Sequence, residues 1–278
     1  MEVLLAKNAG ACYGVQRALD MAAEAQQAGL AAVTLGPIIH NPRVVRDLAA
    51  RGISPVESVD EVQQGSVIIR SHGVVPQVKE DILARGLDMI DATCPHVARA
   101  QKAAADLARD GYLVLVVGEA GHPEVEGLCA YARKSGGSVV VANSAQQLPA
   151  ALEGPVGVVV QTTQMRSTML SVVDELERRG LDYQLVNTIC SATTHRQDAA
   201  TALAGQVDAM VVVGGRNSSN TTRLYDICKA KCANSHHIED AEEIDPAWFK
   251  GVARVGVTAG ASTPEDHIAA VISALEAL

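Results

Sequence analysis

Aromatic residues are scarce in this chain, with one Phe, one Trp and five Tyr among 278 residues. So few rings leave little for stacking nucleobases, and a formal net charge of −9 lacks the basic field that attracts phosphate backbones. Nucleic acid is therefore not an expected partner. No apolar run approaches the roughly 20 residues needed to span a bilayer, so no membrane is expected either. A GxxxxGK[ST] loop and a credible GxGxxG after a strand are both missing, which argues against nucleotide binding. There is no CxxC pair, the usual mark of a closed structural zinc site. No linker rich in Pro, Gly or Ser divides the chain. The opening residues, Met1-Glu2-Val3-Leu4-Leu5-Ala6-Lys7, run straight into a strand-like segment without signal or transit features. A cytoplasmic location follows as an expectation, and six cysteines there point to metal binding or catalysis before disulfides.

What the chain has instead is alternation. Short Val/Ile/Leu runs alternate with Ala-rich helical stretches, the pattern of βαβ units around parallel sheets. Strands are expected at residues 2–6, 31–35, 66–70, 87–91, 113–117, 138–142, 156–160, 183–187, 209–213 and 254–258. Helical patterns cover Val15–Ala28, Val97–Arg109, Met165–Arg179, Thr193–Ala204 and Pro264–Leu278. Apolar strands without alternation suit sheets covered on both faces. The reading is an α/β fold of three pseudo-symmetric units with mainly parallel sheets: residues 12–94, 95–190, and 191–278 together with 1–11. The first strand then completes the third unit.

The units repeat at the level of single residues. Twenty-four positions beyond each of Cys12, Cys94 and Cys190, at the end of an apolar run, stands Gly36, Gly118 or Gly214, and four further on stands His40, His122 or Ser218. A third apolar run in each unit ends in Arg70-Ser71-His72, Gln161-Thr162-Thr163 or Gly260-Ala261-Ser262, at 60, 68 and 72 residues from the cysteine to His72, Thr162 and Ser262. Each cysteine follows a strand and precedes a helix, where the positive end of the dipole favours the thiolate that ligates metals. A single such cysteine is more often a buried small hydrophobe. Three at equivalent positions of a repeat point to one shared site. Cys129, Cys228 and Cys232 lack the placement, and the last two, four apart on a helical stretch, read as packing residues.

Thiolates suit zinc and iron–sulfur clusters. Electron-carrying clusters usually take four cysteines. Three cysteines leave an open position, so a cluster with one iron free for substrate fits the pattern best. His40, His72 and His122 fall at strand ends, where ligands bind in parallel α/β sheets. Ser218-Ser219-Asn220 and Ser262-Thr263-Pro264-Glu265 read individually as helix caps. Helix N-termini with hydroxyls, an amide and imidazoles also make an anion site, here for a compact phosphate or diphosphate on a small molecule. Glu124, in His122-Pro123-Glu124, reads equally as an acid steadying a helix's first turn or as a proton donor in that pocket.

The motifs together resemble one family, the hydroxymethylbutenyl diphosphate reductases of the isoprenoid pathway, also called LytB. They are Gly10-Ala11-Cys12-Tyr13-Gly14-Val15, Gly36-Pro37-Ile38-Ile39-His40-Asn41, Arg70-Ser71-His72-Gly73, Asp91-Ala92-Thr93-Cys94-Pro95 and Gly121-His122-Pro123-Glu124-Val125-Glu126-Gly127, followed by Gln161-Thr162-Thr163, Cys190-Ser191-Ala192-Thr193-Thr194, Asn217-Ser218-Ser219-Asn220 and Thr258-Ala259-Gly260-Ala261-Ser262. The resemblance spans the chain. It implies a three-lobed fold around a central 4Fe–4S cluster on Cys12, Cys94 and Cys190, degrading to 3Fe–4S on oxidation. It further implies that His40, His72, His122, Ser218, Ser219, Asn220 and Ser262 bind an allylic diphosphate, that Glu124 relays protons, and that Thr162 belongs to the same network. The implied reaction is two-electron removal of the substrate's hydroxyl as water. With no flavin or nicotinamide motif, the electrons come from an external donor such as ferredoxin or flavodoxin. One departure is His195, where the family usually has Asn. On the residues alone two other classes stay open, a non-catalytic iron–sulfur sensor and a zinc-dependent phosphate-ester hydrolase. A brown protein would separate the iron readings from the colourless zinc one.

Overall fold

A computed structural model describes residues 1–278. Its elements in chain order are β1 (Glu2–Leu5), α1 (Tyr13–Gln27), β2 (Ala32–Leu35), α2 (Pro42–Ala50), β3 (Pro55–Val56), β4 (Ser66–Ile69), α3 (Pro76–Ala84), β5 (Asp88–Asp91), α4 (Pro95–Arg109) and β6 (Leu113–Val117). They continue with α5 (Pro123–Lys134), β7 (Val139–Ala142), β8 (Val156–Val160), α6 (Arg166–Arg178), β9 (Tyr183–Val186), α7 (Ser191–Ala204), β10 (Ala209–Val213), α8 (Ser219–Lys231), β11 (Ser235–Ile238), β12 (Arg254–Ala259) and α9 (Glu265–Glu276). No helix is long and apolar enough to cross a membrane. Every strand expected from the apolar runs is present. Two more, β3 and β11, were not signalled by such runs. Both are sheet edges: β3 is two residues long and begins at a proline, and β11 reads Ser-His-His-Ile. Two residues are too few to make an apolar run, and in β11 the paired histidines interrupt one.

The strands form three four-stranded sheets, ordered β3-β2-β4-β5, β7-β6-β8-β9 and β11-β10-β12-β1, and every pairing is parallel. The three orders are one topology repeated. In the third sheet the place of β5 and β9 is taken by β1, whose Leu5 pairs with Val257 of β12.

The chain divides into two compact units, one comprising residues 1–16, 40–44 and 191–278, the other 17–39 and 45–190. The first holds the third sheet. On one face Val211, Val213, Val255 and Val257 pack with Ile268, Val271 and Leu275 of α9; on the other Met210 and Val212 meet Ala200 and Ala204 of α7 and Leu224 and Cys228 of α8. The second unit holds the other two sheets. Val114 and Val116 face Ala104, Leu107 and Ala108 of α4 and Leu128 of α5, whereas Leu115 and Val117 face Met169, Val172 and Leu176 of α6. Burial on both faces is why these strands lack a polar alternate position.

Gly65, before β4, illustrates how closely the backbones approach. Its φ is +97° and a Cβ there would lie 2.3 Å from the carbonyl oxygen of Ala31. Gly65→Ala should cost about 1–3 kcal/mol and lower the melting temperature by several degrees. Gly52→Ala, with φ +90° but nothing within 4 Å, isolates the backbone cost alone. Equal losses in the two variants would contradict the crowding at Gly65.

Candidate active site

Three backbone hydrogen bonds give the repeat its physical form. The N–H of Cys94 donates to the carbonyl of Ser71 (2.9 Å), that of Cys190 to Thr162 (3.0 Å) and that of Cys12 to Ala261 (3.1 Å). Each acceptor is the second residue beyond the third strand of its sheet, β4, β8 or β12. Each cysteine immediately precedes a helix, α4, α7 or α1, and Pro95 fills the first helical position after Cys94. All three are partly exposed and none is in a disulfide. Three such thiols are the donor chemistry that an iron–sulfur group takes. The remaining cysteines differ. Cys129 and Cys228 are buried in helix-on-sheet cores, where desolvation pushes their thiols up to about 11 and about 12. Cys232 is not on the helix with Cys228, as its spacing implies, but is the extended residue that ends α8. It packs in the same core.

In the second unit, α5 begins at His122, whose Nδ1 accepts the N–H of Glu124 at 3.1 Å. That bond fixes Nδ1 as the acceptor, so in the neutral ring Nε2 carries the proton and is a donor. The His72 and His122 rings meet edge-on with centroids 5.6 Å apart. Gly73, at φ +71°, has no Cβ to displace the buried amide of Gln101, which would lie 2.6 Å from one.

Glu124 is 1% exposed although it sits in the first turn of a helix. Both carboxylate oxygens bond a residue outside the helix. Oε1 accepts the Thr162 N–H at 2.6 Å and Oε2 accepts the Thr162 hydroxyl at 2.8 Å. Thr162 also accepts the N–H of Cys190. A single threonine therefore links the buried acid to the start of a cysteine helix.

In the first unit, Ser218 caps α8, its Oγ accepting the Thr221 N–H, and Ser219 and Asn220 follow in the first turn. Asn220 is 6% exposed, and its side-chain N–H₂ donates to no group of the protein. A buried amide donor at a helix N-terminus, beside two hydroxyls, is suited to an anion. Ser262 does not cap α9, contrary to its sequence context; the residue before that helix is Pro264. The Ser262 hydroxyl instead donates to the carbonyl of His40 at 3.0 Å.

Several supporting residues have roles that the sequence motifs do not assign. Asn41, one residue past His40, caps α2 by accepting the N–H groups of Arg43 and Val44, and its amide donates to the Ser262 carbonyl at 2.8 Å. Arg17 donates to the carbonyls of Thr93 (3.2 Å) and Asp91 (3.4 Å), in the segment leading to Cys94. Buried Arg196 donates to the carbonyl of Gly10, ahead of Cys12, at 2.6 Å. Its neighbour His195 is exposed. The two arginines could have been suspected only from their place one turn into helices that open at cysteines.

The LytB protein family model matches residues 3–276 of this chain. The chain belongs to the LytB family. A Geobacter sulfurreducens relative named 4-hydroxy-3-methylbut-2-enyl diphosphate reductase is 48% identical over 276 residues, covering 99% of this chain and 97% of the relative. Among solved structures, a (E)-4-hydroxy-3-methyl-but-2-enyl diphosphate reductase, described as the terminal enzyme of the non-mevalonate pathway, is 43% identical. It superposes with a TM-score of 0.74 over 100% of both chains. The Plasmodium falciparum E-1-hydroxy-2-methyl-but-2-enyl-4-diphosphate reductase is 25% identical, with a TM-score of 0.90 over 98% of this chain and 87% of its own. The repeated parallel α/β architecture is thus that of the family.

Proposed function

We propose that this LytB-family protein reduces 4-hydroxy-3-methylbut-2-enyl diphosphate to isopentenyl and dimethylallyl diphosphate, using a 4Fe–4S cluster ligated by Cys12, Cys94 and Cys190. The observation that carries the reading is the same backbone bond at all three cysteines, and only those three, in a chain whose relatives bear that activity. In this reading the expected units, 12–94, 95–190 and 191–278 with 1–11, each contribute one strand that leads into a cysteine. When bound, the cluster supplies one-electron redox chemistry and an iron with an open coordination position.

Loss of the hydroxyl as water takes two electrons and two protons: the carbon–oxygen bond breaks, one proton joins the departing hydroxyl and one goes to the allylic carbon skeleton. The electrons come from an external one-electron carrier, for which ferredoxin and flavodoxin are the candidates. Glu124 delivers a proton. Burial keeps bulk water from competing with it, and the Thr162 hydroxyl, which can donate or accept, steadies the carboxyl in either protonation state. His122, with its proton on Nε2, donates to the substrate together with His72. Ser218, Ser219, Asn220 and Ser262, with His40, hold the diphosphate. The protein acts in the cytoplasm.

Anaerobic incubation with the substrate and dithionite-reduced methyl viologen should yield both five-carbon diphosphates; absence of product from brown, folded protein would overturn the reading. The open iron also makes an expectation about oxygen. Air should convert the cluster to a 3Fe–4S form, visible by electron paramagnetic resonance, and bound substrate should slow the conversion. A cluster that withstands prolonged aeration would point to a fourth protein ligand.

A further inference from the structure

We infer that His237, which no sequence motif marks, is a positioning residue that sets the loop presenting Ser218, Ser219 and Asn220 to the diphosphate. This rests on the reading of those residues as the anion site. His237 lies on the edge strand β11, and its Nε2 is 2.9 Å from the carbonyl oxygen of Gly214. A carbonyl only accepts, so Nε2 must carry the proton. Gly214 is the first residue after β10 and has φ +142°. Its own N–H donates to the Ile238 carbonyl at 2.9 Å. The peptide groups on both sides of the Gly214 Cα are thus held by β11, through a carbonyl below and an imidazole above.

The register shows what is particular to this repeat. Val213 pairs with Ile238, Leu35 with Val56 and Val117 with Ala142. The positions equivalent to His237 are therefore Pro55 and Val141, whose side chains have no donor. Only the repeat that carries Ser218-Ser219-Asn220 has a side-chain donor at this point. The rest of the loop is braced by the same strand end. The Arg216 N–H donates to Glu239 Oε1 at 2.6 Å, the Arg216 guanidinium pairs with Glu243, and Ser218 N–H closes the turn onto the Gly215 carbonyl at 3.0 Å. Burial pushes the His237 pKa below the ordinary imidazole value, which keeps the ring neutral at physiological pH. The Tyr225 ring of α8 lies beside it, with the ring centroids 5.8 Å apart.

Without the donor, the Gly214 carbonyl loses its side-chain partner, and the turn into α8 is free to shift. A shift of this loop misaims Asn220, whose amide must already point at the anion for tight binding. The effect falls on affinity for the diphosphate and not on the chemical step, which other residues perform.

His237→Met and His237→Gln have nearly the same shape, and only Gln restores an N–H at the reach of Nε2. The test measures the dissociation constant of inorganic diphosphate by calorimetry, with KM and kcat for the viologen-driven reaction alongside. His237→Met should weaken diphosphate binding and raise KM about tenfold while kcat stays within about twofold, as loss of one partly buried hydrogen bond implies. His237→Gln should recover most of the loss. Equal affinity in the Met and Gln variants, or a Met variant that falls in kcat and not in KM, would overturn the proposal. Asn220→Ala separates this from the underlying reading: if wild type binds diphosphate and Asn220→Ala does not weaken it, the anion site itself is misassigned. If Asn220→Ala weakens binding and His237→Met does not, only the role of His237 fails.

Discussion

Cys12→Ser, Cys94→Ser and Cys190→Ser should each lose iron, brown colour and reductase activity together, with activity falling at least about a thousandfold. Serine is close in size, and at helix N-termini it is a favourable residue, so folding should survive. What it removes is the soft thiolate that holds iron. The three variants should behave alike because the three sites are built alike, each cysteine N–H bonded to the carbonyl two residues past a third strand. Cys129→Ala, Cys228→Ala and Cys232→Ala provide the contrast. Their sulfurs lie in apolar cores, and desolvation keeps the thiols of Cys129 and Cys228 protonated. These variants should keep their iron and lose only stability, by about 1 kcal/mol from the small cavity each leaves. Iron content measured anaerobically on all six variants checks the division. A folded Cys129, Cys228 or Cys232 variant without iron would break it.

Glu124→Gln should lower kcat by about two to four orders of magnitude and leave KM within a few-fold. The substitution is nearly silent structurally. The Gln carbonyl can still accept the Thr162 N–H, and the Thr162 hydroxyl, which now donates to Oε2, can turn to accept from the new amide. The melting temperature and iron content should therefore match the wild type. Only the exchangeable proton of the carboxyl is gone. Single-turnover measurement of product formation from reduced enzyme isolates the chemical step. Wild-type turnover with an intact cluster would return Glu124 to a purely structural role, tying Thr162 and Cys190 to α5.

The sequence exposes some of these features more readily than others, for physical reasons. Strands such as Val156–Val160 and Ala209–Val213 are buried on both faces, so apolar runs identify them directly. The cysteine spacing is legible because each sheet repeats one topology and each cysteine follows the same strand of it. Pro55–Val56 is too short to form an apolar run, and His236 and His237 interrupt one in Ser235–Ile238. Local rules mislead where a long-range partner wins, as when Ser262 precedes a helix yet gives its hydroxyl to His40, 222 residues away in sequence, and they are incomplete for Glu124, which stands in a helix's first turn and also bonds Thr162, 38 residues away. Asn41, Arg17, Arg196 and His237 act through bonds to main-chain carbonyls brought near by the fold. Those carbonyls lie 23 to 221 residues away in sequence, so local context does not reveal the bonds.

Mössbauer spectroscopy of iron-57-enriched protein, purified without oxygen and recorded with and without the substrate, tests the central claim most directly. The account predicts about four iron atoms per chain, one of them spectroscopically distinct and altered by substrate, because three protein thiolates leave one iron of a 4Fe–4S cluster without a cysteine. Four equivalent irons that substrate does not perturb, or a chain that binds zinc and no iron, would contradict it.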